Sequence, residues 1–88
     1  MMDSKTNREI LCDMGYEDAI IFDNPSYDSA IIGISTDGNV IYDYDEMVRH
    51  LQIVENMTEE ESVDFIDYNT IRSLPYAGEG APIVIYRI

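Results

Sequence analysis

The chain has one cysteine, one histidine, no tryptophan and only five basic residues among its 88. Each shortage closes off a class of structure or chemistry. With Cys12 alone no internal disulfide can form, which suits a reducing compartment. One His and one Cys are too few for a zinc ligand set, and the calcium-loop pattern D-x-[DN]-x-[DN]-G is absent, so no metal and no cofactor are expected. Five Lys and Arg cannot neutralise a run of phosphates, so direct binding to nucleic acid is not expected either. Unbroken apolar runs last only a few residues, far short of the roughly 20 that span a bilayer, and an anionic membrane surface would repel the chain. The opening stretch MMDSKTNREI lacks the apolar core of a signal peptide. The expectation is a single cytoplasmic domain over residues 1–88, with residues 1–5 loose.

What the chain has in excess is acid. Eighteen Asp and Glu face five Lys and Arg, giving a net charge of −13, where a small domain is comfortable at about 2–8 in magnitude. Self-repulsion on that scale costs stability, so the charge points to a use: solubility, salt adaptation or a basic partner. The apolar fraction of 45% is that of a folded protein.

Residues 6–14 carry Ile10, Leu11 and Met14 at helical spacing, with Gly15 as the stop. Ala19-Ile20-Ile21-Phe22 reads as a short strand closed by the turn formers Asp23-Asn24-Pro25-Ser26. The clearest local signal is SAIIGIST and NVIYDY flanking Asp37-Gly38, a favoured pair for a two-residue hairpin turn. That loop length pairs Ile34 with Ile41, Gly33 with Tyr42 and Ile31 with Tyr44. Ile31, Val40, Tyr42 and Tyr44 then share one face, opposite Ala30, Ile32, Ile34 and Ile41, so both faces of the hairpin are apolar. Asp43 or Asp45 caps the next helix, striped by Met47, Val48, Leu51 and Val54. Thr58-Glu59-Glu60-Glu61 is a capping box opening a helix whose buried stripe is Val63, Ile66, Thr70, Ile71 and Leu74, with Phe65 and Tyr68 beside it. Pro75 and the loop YAGEGA end it, and PIVIYRI reads as a last strand, central in the sheet. The expected fold is α+β in the order αβββααβ: an antiparallel-rich sheet of about four strands with helices mainly on one face.

Catalytic sets are not evident. His50 falls on the helix side away from Met47, Leu51 and Val54, as a solvated histidine does, and Cys12 reads as a small buried filler. Gly78 and Gly80 follow a helix, whereas a phosphate-binding glycine loop opens one. The expectation is a protein that is not an enzyme.

The positive signal is acid interleaved with tyrosine. Asp43, Asp45, Glu46, Glu55, Glu59, Glu60, Glu61, Asp64 and Asp67 crowd one stretch, and Tyr42, Tyr44, Tyr68, Tyr76 and Tyr86 are of the type enriched at interfaces. Carboxylates around such a patch steer a basic partner and set its orientation. On average charge the chain is no DNA mimic. Size scaling gives it one net charge per about 400 Å², against roughly one per 100 Å² for a duplex, so mimicry requires the acids to share a face. The residues expected to meet a partner are Asp43, Asp45, Glu46, Glu59, Glu60, Asp64, Asp67, Tyr42 and Tyr44.

The stretches FDNPSYDSAIIGISTDGNVIYDYDEM and EESVDFIDYNTIRSLPYAGEGAPIVIY resemble a group of small acidic proteins encoded by bacteria and their mobile elements. That group has no assigned activity, so the resemblance transfers no functional residue. A mobile-element setting implies a host- or phage-directed inhibitor, such as an anti-CRISPR protein. The leading expectation is a non-enzymatic protein that blocks a basic surface of a nucleic-acid-handling enzyme such as a Cas effector. The alternative is a homodimeric or higher accessory protein of a mobile element, built on the second apolar face of the hairpin.

Overall fold

The structure, a computed structural model, describes residues 7–23, 25–76 and 78–88. The expectation of a loose start at residues 1–5 lies outside the described residues, as do Asn24 of the first turn and Ala77 of the YAGEGA loop. The elements run α1 (Asn7–Asp13), β1 (Ile31–Ile34), β2 (Val40–Asp43), α2 (Tyr44–Val54), α3 (Glu59–Phe65) and β3 (Ile83–Ile85). One π-helical segment, Ile66–Ile71, continues α3, and short 3-10 turns lie at Asp28–Ala30 and Leu74–Tyr76.

The α+β class stands, but the expected four-stranded, antiparallel-rich sheet does not. The sheet has three strands in the order β1-β2-β3, with β1 antiparallel and β3 parallel to β2. Parallel neighbours need a long crossover. Here β2 runs straight into α2, and the chain crosses through α2 and α3 before β3 pairs Ile83 with Ile41 and Ile85 with Asp43. The strand read from PIVIYRI is limited to Ile83–Ile85 and sits at an edge, and β2 is the central strand.

Residues 19–22 form no strand. The Phe22 N–H donates to the Tyr42 hydroxyl at 3.0 Å, and the Phe22 ring lies 4.6 Å from that of Tyr42 and 5.7 Å from that of Tyr27. A side-chain acceptor and two aromatic faces thus take the place of a ladder. The outer edge of β1 is also partly occupied, because Asn7 Nδ2 of α1 donates to the Ile31 carbonyl at 2.8 Å.

The hairpin turn is one residue longer than the Asp-Gly pair suggested. Ser35 N–H donates to the Asn39 carbonyl at 2.8 Å, and Gly38 N–H to the Ser35 carbonyl at 2.9 Å. Gly38 sits at φ +88°, the left-handed residue that closes a Thr36-Asp37-Gly38 loop. Ile34 consequently pairs with Val40 and Gly33 with Ile41, and an irregularity between Ile31 and Gly33 brings Ile31 opposite Tyr42. The face offered as a second apolar surface is the core itself: Ile31, Val40, Tyr42 and Tyr44 are all buried, while Ile32 is 40% exposed.

Around that face pack Leu11, Tyr27, Ala30, Met47, Val48, Leu51 and Ile66. The α2 stripe holds except for Val54, which is exposed past the last buried turn. Tyr27 is buried in the left-handed region at φ 52°, a costly conformation for a bulky residue. Its hydroxyl meets Thr70 Oγ1 at 3.1 Å, and its ring lies between those of Phe22 and His50. At the end of α1, Gly15 adopts φ +94°, with Gly15 N–H bonded to the Cys12 carbonyl and Tyr16 N–H to the Leu11 carbonyl, a Schellman stop.

Candidate protein-binding surface

The acids of α2 and α3 divide into structural and exposed groups. Asp43 is only 4% exposed. One carboxylate oxygen accepts the Asp45 N–H at 3.0 Å as the cap of α2, and the other meets Arg87 Nη1 at 3.3 Å. Tyr42 has no exposure at all, and Tyr44 is 7% exposed. Burial therefore removes Asp43, Tyr42 and Tyr44 from the surface a partner can touch. Burial also pushes the hydroxyl pKa of Tyr42 and Tyr27 above the usual tyrosine value, and it outweighs the hydrogen bonds that favour their ionised forms. The Tyr44 hydroxyl is held higher still, by burial and by donating to Asp67 Oδ1 at 2.8 Å.

Asp45, Glu59, Glu60, Asp64 and Asp67 are exposed, and Glu46 is half-buried. Glu59, Glu60 and Glu61 fill the first turn of α3, where the amide dipoles favour negative charge. The capping box forms as read: Glu61 N–H donates to Thr58 Oγ1 at 3.0 Å, and Thr58 N–H donates to Glu61 Oε1 at 2.8 Å. Among the described residues the ion pairs are Arg8–Asp28, Arg49–Glu46 and Arg87–Asp43. None of them touches Asp45, Glu59, Glu60, Asp64 or Asp67.

An open groove of about 760 Å³ runs beside α3. Its carboxylates are Glu55, Glu61, Asp64 and Asp67, and its apolar lining comes from Met57, Phe65 and Tyr68. The groove unites two of the expected partner residues, Asp64 and Asp67, with Glu55 and Glu61 of the wider acid run. Phe65, expected beside the buried stripe, is half-buried there, and Tyr68, named both beside that stripe and among the interface-type tyrosines, is exposed. Glu61, Asp64, Phe65 and Tyr68 recur at i, i+3, i+4 and i+7, the spacing of one helical face, so the signal was present in the sequence. Tyr68 is 70% exposed, and the Arg72 guanidinium lies 4.8 Å from its ring centre.

His50 is half-buried against the Tyr27 ring, with Nδ1 3.5 Å from Ser29 Oγ, too long for a strong hydrogen bond. Cys12, expected as a buried filler, is exposed, because Leu11 is the α1 residue that enters the core. Among the described residues no three His, Cys, Asp or Glu side chains group closely enough to hold a metal ion, and no helix is long and apolar enough to cross a membrane.

Comparison with known protein families, curated proteins and solved structures finds no match to the chain.

Proposed function

We propose that the chain is a non-enzymatic acidic binding protein that attaches to a basic, nucleic-acid-binding surface of a larger protein and blocks it, as an anti-CRISPR-type inhibitor of a Cas effector would. One observation carries this reading: the exposed carboxylates on α2 and α3 have no basic partner among the described residues, where three of the four arginines pair instead with Asp28, Glu46 and Asp43. Uncompensated like charge costs stability, and an oppositely charged partner relieves it while being drawn in along the field. Average charge still argues for a local patch, since the 6018 Å² surface carries one net charge per about 460 Å², far sparser than a duplex.

The test is capture of partners from bacterial lysate at low and high salt, repeated with Glu59, Glu60 and Asp64 all changed to Lys. These positions are exposed, so the fold should survive, as circular dichroism would verify. A nucleic-acid-handling protein held at low salt, released by high salt and lost with the triple variant supports the reading. Capture that is indifferent to the three reversals refutes it.

A further inference from the structure

We propose that the groove beside α3 is an arginine slot: it receives an arginine-rich segment of the basic partner, which competes with Arg72 for the Tyr68 ring. The inference rests on the acidic-binder reading and adds to it a place and a ligand chemistry. Two features of the groove select a guanidinium over an ammonium. The first is Tyr68, whose ring already holds a guanidinium at 4.8 Å and remains 70% exposed. A planar guanidinium stacks on such a ring and is more weakly hydrated than the lysine head group, so it gives up less water to do so. The second is the set of carboxylates on the groove wall, of which Asp64 is exposed and makes no ion pair among the described residues. Carboxylates match the paired donors of arginine in a way that a point charge does not exploit. Met57 and Phe65 supply apolar surface along which the three-carbon stem of an arginine can lie.

Charge decides the occupant. A second copy of this chain would bring a net charge of −13 to a wall already bearing Glu55, Glu61, Asp64 and Asp67. An uncharged apolar peptide would leave those carboxylates facing it without compensation. A cationic segment satisfies both the wall and the ring.

The experiment measures binding of an oligo-arginine peptide and an oligo-lysine peptide of equal length by fluorescence anisotropy, at low and at near-physiological salt. The proteins are the intact chain and its Asp64→Asn, Tyr68→Leu, Arg72→Gln and Glu17→Gln variants. The arginine peptide should bind more tightly than the lysine peptide. Tyr68→Leu should weaken the arginine peptide about three- to fivefold and the lysine peptide less, and Asp64→Asn should weaken both by about two- to fivefold. Arg72→Gln should strengthen arginine binding beyond the general effect of one lost positive charge, which the lysine peptide reports. Glu17→Gln, outside the groove lining, sets the effect of one lost negative charge. Equal binding of both peptides, with Tyr68→Leu and Arg72→Gln moving them alike, overturns the slot but leaves the acidic surface as a binding face. No binding of either peptide at low salt overturns the slot and the acidic-binder reading together.

Discussion

Replacing Tyr42 by Phe isolates the contact that holds residues 19–22 to the sheet. The ring keeps its place in the core, between the strand register and the Phe22 ring at 4.6 Å, so the substitution removes one oxygen and little packing. That oxygen is the acceptor for the Phe22 N–H at 3.0 Å. Left in a half-buried position, the amide loses its partner, and a buried polar group without a hydrogen bond costs about 1–3 kcal/mol. Because Phe22 is half-buried, water can restore part of this, and the loss should be about 1–2 kcal/mol. For a domain of this length each kcal/mol lowers Tm by about 4–8 °C. Urea unfolding followed by circular dichroism reads the stability, and hydrogen exchange reads the Phe22 amide directly. Tyr86→Phe is the control, since its exposed hydroxyl should change stability by no more than about 0.5 kcal/mol. If Tyr42→Phe matches Tyr86→Phe in stability and the Phe22 amide exchanges at its original rate, the anchoring argument is refuted.

Alkali should unfold the protein with a sign set by three tyrosines. Tyr27, Tyr42 and Tyr44 all hold their protons above the usual value in the folded state, so beyond pH 10 the folded chain binds more protons than the unfolded one. Stability should be flat in this respect below pH 10 and should then fall as pH rises, each tyrosine that keeps its proton costing at most about 1.4 kcal/mol per pH unit. A urea midpoint unchanged between pH 9 and pH 11 would contradict the assignment. At the start of α3, Thr58→Ala should cost about 1 kcal/mol and Thr58→Ser much less, because the hydroxyl accepts the Glu61 N–H. Equal losses in urea unfolding would mean that the cap contributes through something other than that oxygen.

The helices were legible because their signals are local. The capping box, the Gly15 stop, the Asp43 cap and the Met47, Val48 and Leu51 stripe each rest on spacings of a few residues, and all appear in the structure. The sheet was less legible because pairing is settled at long range. Ala19-Ile20-Ile21-Phe22 has strand composition, yet its Phe22 amide is taken by a side chain and Asn7 occupies part of the β1 edge. The parallel placement of β3 depends on how two helices return the chain, which no local pattern encodes. The acid run of the candidate site was readable as a run. Which of its members cap helices and which face solvent depended on where β2 ends, and that turned Asp43 inward.

One added loop residue shifts the register of the hairpin at its turn end. In an antiparallel pair a one-residue slip moves every side chain of a strand to the other face. The Asp37-Gly38 pair suggested a two-residue turn, but the Ser35 side chain accepts the Asn39 N–H at 3.0 Å and stabilises the longer loop. The longer loop sets Val40 opposite Ile34, and the irregularity between Ile31 and Gly33 then brings Ile31 opposite Tyr42, so Ile31, Val40 and Tyr42 keep the shared face that the shorter turn also implied, and that face is the buried one. Two apolar faces had motivated a homodimer through the hairpin. Ile31, Val40 and Tyr42 belong to the core, so the apolar surface the hairpin still offers is its other face, where Ile32 is exposed and Ile34 and Ile41 are half-buried. On the helices, Asp64 and Tyr68 stand exposed on one stripe, with the Arg72 guanidinium over the Tyr68 ring, and that stripe is where the proposed arginine slot is tested.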